Sequence, residues 1–216
     1  MAYNYVSYAT GLPMSSQTSP QLGRYMTLTN ASEKTIELSD VKTHLKINSS
    51  ITSEDGYLTN LINVATEMVQ NYTSLILMQQ TIELHLPYFM NKIDINRSPV
   101  DTITHVKYYD SANTLQTISS SNYIANFGTN DSLNQSPIIT SILPKDNFTY
   151  PQTYPRMDAV QIKFVAGIDS NADVPQTIKQ AILIIIGSLY LNRTDMVYKM
   201  PTLSEYLLNP YRLNVL

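Results

Sequence analysis

The chain contains no cysteine and only six glycines. Without cysteine there is no disulfide, no thiolate nucleophile and no Cys-based zinc site. The few glycines form no Gly-x-Gly-x-x-Gly fingerprint, no Walker loop and no Gly-x-Ser-x-Gly elbow. Charge is scarce too: Asp, Glu, Lys and Arg make up 14% of the 216 residues, against about 25% in an ordinary soluble domain. The net charge of −3 argues against a dedicated nucleic-acid binder, which carries a basic excess. Residues 1–20 hold neither Lys nor Arg and no continuous apolar stretch, so no signal peptide is expected. The longest apolar stretch, Ala181 to Leu191, is interrupted by Gly187 and Ser188 and is shorter than the roughly 18–20 residues a bilayer span needs. These absences point to a soluble intracellular protein.

What fills the gap is neutral polarity. Ser, Thr, Asn and Gln supply one third of the chain. Such a surface repels its neighbours weakly and tolerates crowded contacts with other chains. Hydrophobic residues stand at 43%, enough for one medium domain to bury its own core.

The hydrophobic spacing divides the chain. Residues 1–35, with Tyr3, Tyr5, Tyr8 and Tyr25 among Ser, Thr, Pro and Gly, show no period. They read as an irregular arm, either a disordered tail or a segment that orders on a partner through its tyrosines. A short helix follows over Leu38–Ile47, with Ser39 as expected N-cap and Asp40 at the positive end. A second helix spans 54–72, with Thr52 and Asp55 resembling a capping box. Its apolar positions 57, 58, 61, 62, 64, 65, 68, 69 and 72 make one stripe, and Asn60, Asn63, Glu67, Gln70 and Asn71 make the other face. Residues 77–166 alternate as short strands, clearest at Val160–Phe164, with loops at 126–136 and 144–158 that look long and exposed. A third helix runs from about Pro175 to Arg193, apolar all round from Ala181 to Ile186, and Gly187 and Ser188 are expected to admit another backbone. A last short helix covers Leu203–Leu208, and the chain closes on an apolar/polar alternation without a turn.

The reactive inventory is poor. His44, His85 and His105 fall on a helix and two strands, in no metal-ligand spacing. They read as solvent-facing or hydrogen-bonded side chains. Glu54 and Asp55 are adjacent, so on a helix they point about 100° apart and cannot act as a dyad. Asn-x-Ser/Thr sequons, among them those at Asn71, Asn147 and Asn192, are expected by chance at this composition. The 16 tyrosines suit interface area better than base stacking, because the basic funnel that stacking requires is missing. The residues alone thus describe a mixed α and β structural or interaction protein with no cofactor, no metal and no visible catalytic centre.

Four stretches in order carry a resemblance. They are Leu38–Ile47, the helix Leu58–Thr73 leading to Leu77 and Gln80-Thr81, the Val106–Asp110 strand and turn, and Val160–Gly167 followed by Asp173–Leu183 and Asn209–Leu213. Together they resemble the head–tail connector (adaptor, head-completion) family of long-tailed bacteriophages and gene transfer agents, over about residues 36–216. The resemblance implies an α+β fold: a small bundle of three to four helices with a β-rich insertion between the second and third main helices. The division it implies is an N-terminal arm 1–35, a bundle of 36–76 and 173–209, an insertion of 77–172 and an extended tail 210–216. It implies a non-enzymatic virion protein, a ring of about twelve copies beneath the portal that extends the DNA channel toward the tail. Its partners would be the portal protein, a stopper or tail-terminator or other tail protein, further copies of itself, and double-stranded DNA passing non-specifically; no membrane is involved. Its place would be the neck of the virion, and the host cytoplasm during assembly. Carried over, Tyr211, Arg212, Leu213, Val215 and Leu216 are expected to dock on the portal, since an alternating tail suits strand addition or a groove. Asn60, Asn63, Glu67 and Gln70 are expected at the ring interface, which must be heterologous. Sparse basic charge suits a conduit, because each neutralised phosphate would add grip on DNA. The competing readings are a tail-completion or peripheral decoration protein anchored by the arm, and an enzyme using loop carboxylates that converge in a cleft.

Overall fold

The computed structural model describes residues 23–127, 139–193 and 200–213. These residues form four α-helices and two antiparallel sheets, a mixed α+β fold. In chain order they are β1 (Arg24–Thr29), α1 (Leu38–His44), α2 (Asp55–Thr73), β2 (Gln80–Leu86), β3 (Ile93–Ile95), β4 (Val100–Tyr109), β5 (Leu115–Ile118), β6 (Tyr123–Asn126), β7 (Thr140–Pro144), β8 (Val160–Ala166), α3 (Gln176–Leu191) and α4 (Thr202–Leu208). The large sheet runs β1-β2-β8-β4-β5 and the small one β3-β7-β6.

Strict alternation makes β8 the centre of the large sheet. Val160, Ile162, Phe164 and Ala166 are buried, while the residues between them are half-exposed. Ile82 and Leu84 of β2 stand opposite Phe164 and Ile162. That face shares one core with Ile93, Ile95, Tyr123 and Ile142 of the small sheet. The opposite face carries Glu83, His85, His105, Lys107 and Lys163, in the register expected of a side turned to water. The helices make a second core in which Leu58, Ile62, Ala65 and Val69 of α2 meet Ile178, Ala181, Ile182 and Ile185 of α3. The two regions meet at Gly167, whose φ of 110° belongs to the left-handed region. A Cβ there would run into the Met78 carbonyl oxygen, so only glycine lets the strand end turn beside residue 78.

Several sequence-based expectations need correction. The arm is not irregular throughout, because Arg24–Thr29 pairs with β2 as an edge strand. Tyr25 anchors it: its hydroxyl accepts the Asn96 N–H at 2.9 Å and its ring stands edge-on to Phe164. One anchoring tyrosine leaves no periodic trace. Residues 1–22 lie outside the described residues. Helix α1 starts at Leu38 behind Glu37, not behind Ser39, and the Glu37 carbonyl accepts from Asp40 and Val41. The expected capping box does not form, because the Asp55 carboxylate turns instead to the ammonium of Lys42 at 2.6 Å. Lys42 is buried, and its ammonium also donates to the Ile51 carbonyl at 2.8 Å. Gly187 faces the His44 side chain rather than a backbone. The loop 144–158 is partly packed: Phe148 and Tyr150 sit against Phe89, and Tyr154 N–H donates to the Tyr109 carbonyl at 2.9 Å. Most of the loop 126–136 lies outside the described residues.

Candidate assembly surfaces

The long helix α2 presents one of its faces outward. Asn60, Asn63 and Glu67 are exposed there, as expected from their spacing. Val64 belongs with them at 45% exposure, although its apolar side chain placed it in the buried stripe by periodicity. Gln70 is half-buried and otherwise employed, its Oε1 accepting the Leu77 N–H at 3.2 Å. It holds the turn from α2 toward β2. The outward face is therefore Asn60, Asn63, Val64 and Glu67, with an apolar centre that spacing alone assigned to the core.

The C-terminal segment closes on its own subunit. Asn209–Tyr211 forms a 3-10 turn, so the expected unbroken alternation from 210 is interrupted. Tyr72 Oη donates to Asn209 at 2.7 Å. Arg212 lies over the Tyr72 ring at 5.4 Å, a cation–π contact. Leu213 is only 5% exposed within the helix core, and its N–H donates to the Thr73 carbonyl at 2.9 Å. Tyr211 packs against the same core. Val215 and Leu216 lie outside the described residues. The five residues expected to dock thus divide at Leu213, which is spent inside the subunit.

A surface that spacing missed lies nearby. On α4, Ser204 and Leu208 face inward, and Leu203 and Tyr206 are 58% and 74% exposed. They are three residues apart, so they share one side of the helix. Leu191 at the end of α3 is also exposed. The signal was present as an amphipathic seven-residue helix with apolar residues on both sides, but a helix that short has no decisive period.

A polar clamp ties the end of α3 to the start of α2. Glu54 accepts from Tyr190 Oη at 2.7 Å and from Arg193 at 2.9 Å. The Arg193 guanidinium lies 4.7 Å from the ring centres of both Tyr57 and Tyr190. The Tyr190 and Arg193 hydrogen bonds hold the Glu54 carboxyl below the usual carboxylate range. Glu54 is thus a structural acceptor, and Asp55 next to it serves Lys42. The two carboxylates have separate partners, as their helical positions require.

The histidines stay apart. His44 abuts Gly187, His85 contacts the Glu83 carboxylate, and His105 sits on the open sheet face. Partial burial, reinforced by Lys107, pushes the His105 imidazole below its ordinary value. Among the described residues no three His, Asp or Glu side chains come together as a metal site. Nor is any described helix long and apolar enough to cross a membrane.

The described residues thus combine two antiparallel sheets with four helices whose outward sides carry Val64, Leu203 and Tyr206. The fold is shared with chains in gene transfer agent (GTA) particles. A chain in the neck of an empty GTA particle, computed with C6 symmetry, is 19% identical and superposes with a TM-score of 0.71, covering 89% of this chain and 97% of that one. A chain in the virion of a native GTA particle is 18% identical with a TM-score of 0.72 and the same coverages. A third, in the neck of a native particle computed with C12 symmetry, is 18% identical with a TM-score of 0.64, covering 88% and 97%. No curated protein matches the sequence. The family model for the Phage gp6-like head-tail connector protein matches residues 35–142, half of the chain. The chain belongs to that family.

Proposed function

We propose that this protein is the subunit of a closed ring beneath the portal of a phage or phage-like particle, in the neck between head and tail. The ring extends the channel for double-stranded DNA and offers the stopper or tail its docking platform. Family membership over residues 35–142 carries this reading. The fold shared with neck chains in particles computed with C6 and C12 symmetry supports a ring of about twelve copies. We read the helices as a bundle that supports the ring and the strands 80–166 as an insertion on it.

Ring contacts must be heterologous, joining one face of a subunit to a different face of the next. Asn60, Asn63, Val64 and Glu67 of α2 supply one such face, and Leu203 and Tyr206 of α4 supply apolar area of the kind that interface centres use. Portal docking belongs to the end of the chain, with Tyr211 and Arg212 at its root and Val215 and Leu216 beyond the anchor at Leu213. The role is architectural rather than catalytic.

The test is electron microscopy of particles, or of the protein mixed with its portal. A ring coaxial with the portal is expected. Removal of residues 214–216 should release the ring from the portal, whereas removal of residues 1–22 should leave it docked. Particles whose neck lacks this chain would overturn the reading.

A further inference from the structure

We propose that residues 1–22 of this chain seat in an uncharged aromatic groove on their own subunit, formed by the loop after β2 and the strap that follows β7. The groove has a volume of about 590 Å³ and is walled by Tyr88, Phe89, Pro144, Phe148, Tyr150 and Pro151. Its remaining described lining side chains are amides and hydroxyls, and none is charged. The rings are already arranged. Phe89 and Tyr150 stack at 4.4 Å and 6°, and Phe148 stands edge-on to Tyr150 at 5.9 Å. A preformed wall spends little entropy on a ligand. Tyr88 remains 54% exposed at the rim.

The chemistry of the wall and the position of the arm point to the same occupant. Aromatic and proline surfaces of this kind accept extended segments carrying proline and tyrosine. The 22 residues before Gly23 contain no Asp, Glu, Lys, Arg or His, and they carry Tyr3, Tyr5, Tyr8, Pro13 and Pro20. A charged segment would lose its hydration against such a wall without gaining a counter-charge.

The arm also leaves the fold beside the groove. Gly23 lies against the end of β2, where a Cβ would come within 2.7 Å of Leu84 Cδ1 and 2.9 Å of Leu86 Cδ2. Tyr88, at the rim, follows Leu86 by two residues. An extended stretch of this length reaches up to about 75 Å, so distance does not limit it. Tethering places the segment at an effective concentration on the order of millimolar, which fills even a weak site.

The natural absence of cysteine permits a clean test on the full chain. Ser7→Cys in the arm is combined with Thr149→Cys at the exposed groove edge, and crosslinking under mild oxidation is followed by mass in dilute protein. The control pairs Ser7→Cys with Ser39→Cys on α1. An intramolecular crosslink at least tenfold faster for Thr149 than for Ser39 is expected. Adding Tyr88→Ala, which removes an exposed rim ring without opening the core, should slow the Thr149 crosslink about tenfold. An unchanged rate in that variant would mean tether proximity alone, and would overturn the proposal. Crosslinked dimers that grow with concentration would overturn it too, by giving the groove to the arm of a second copy. The readout needs no ring, so the proposal and the connector reading fail separately.

Discussion

The sheet core draws on residues 76–166 with Tyr25 added, an almost unbroken length of chain. The helix core closes only when residues 36–78 meet residues 168–213. One is built from neighbours along the sequence and the other from its two ends. The cost of closing a loop rises with its length, so the helix core depends on contacts made last in the sequence. The materials differ as well. The sheet core includes Phe164 and a cluster of aromatic rings, whereas the buried residues of the helix core carry no ring, and tyrosines and polar ties at Lys42–Asp55 and Glu54–Tyr190–Arg193 lie at its margins. Both regions expose apolar side chains: Val64, Leu203 and Tyr206 on the helices, and Leu115, Ile124 and Met157 on the strands and their loops.

The largest loss of stability is expected from the sheet core. Phe164 is fully buried in the core that both sheets share, and Phe164→Ala should cost about 3–5 kcal/mol. Urea denaturation measures this, and a loss under about 1 kcal/mol would mean the two sheets do not share a core. Leu213→Ala should cost about 2–3 kcal/mol, because it opens the seam where the chain end meets α2. Removal of residues 214–216 alone should leave stability unchanged in the same assay.

Asp55→Asn should cost about 2 kcal/mol, since it strands the buried Lys42 ammonium with only carbonyl partners. The partial exposure of Asp55 keeps the figure below that of a fully buried pair. Val64→Glu should change stability by less than about 0.5 kcal/mol and yet prevent ring closure on the portal, which sedimentation of the mixture would reveal.

Acid titration separates the regions by sign and window. His105 holds its proton less tightly in the fold than in the unfolded chain, so protonation favours unfolding. Stability should decline as pH falls through the ordinary imidazole range, and His105→Gln should flatten that decline. Glu54 is depressed instead, so its contribution is present above the ordinary carboxylate value and is lost as pH falls below it. The sheet is expected to sense acid first and the clamp later. Fluorescence-detected unfolding at stepped pH, with Glu54→Gln as the second control, would show one window without the other if either assignment is wrong.

Much of the local structure was legible in the residues. The strict alternation of Val160–Phe164 and the 3.6-residue stripe of α2 became β8 and a buried helix face, because both signals arise from a chain half in and half out of water. The outward positions Asn60, Asn63 and Glu67 followed from the same period. Val64 did not, because an apolar side chain on a helix reads as core unless its neighbours are known. Strand β1 was hidden, since a single tyrosine fastens it to a partner some 60 residues away. Gln70 reads by spacing as part of the outward polar face, but its engagement depends on where the backbone of Leu77 passes.

Composition and periodicity determined the kind of elements, their order and the poverty of reactive groups, since each of these depends on residues close in the chain. The tertiary structure alone decided that Leu213 is inside, that Lys42 is buried against Asp55, and that Val64, Leu203 and Tyr206 face outward. Those outcomes depend on which distant segments arrive together. A side chain's hydropathy states its preference for water or core, but the packing of remote helices determines which of the two it meets.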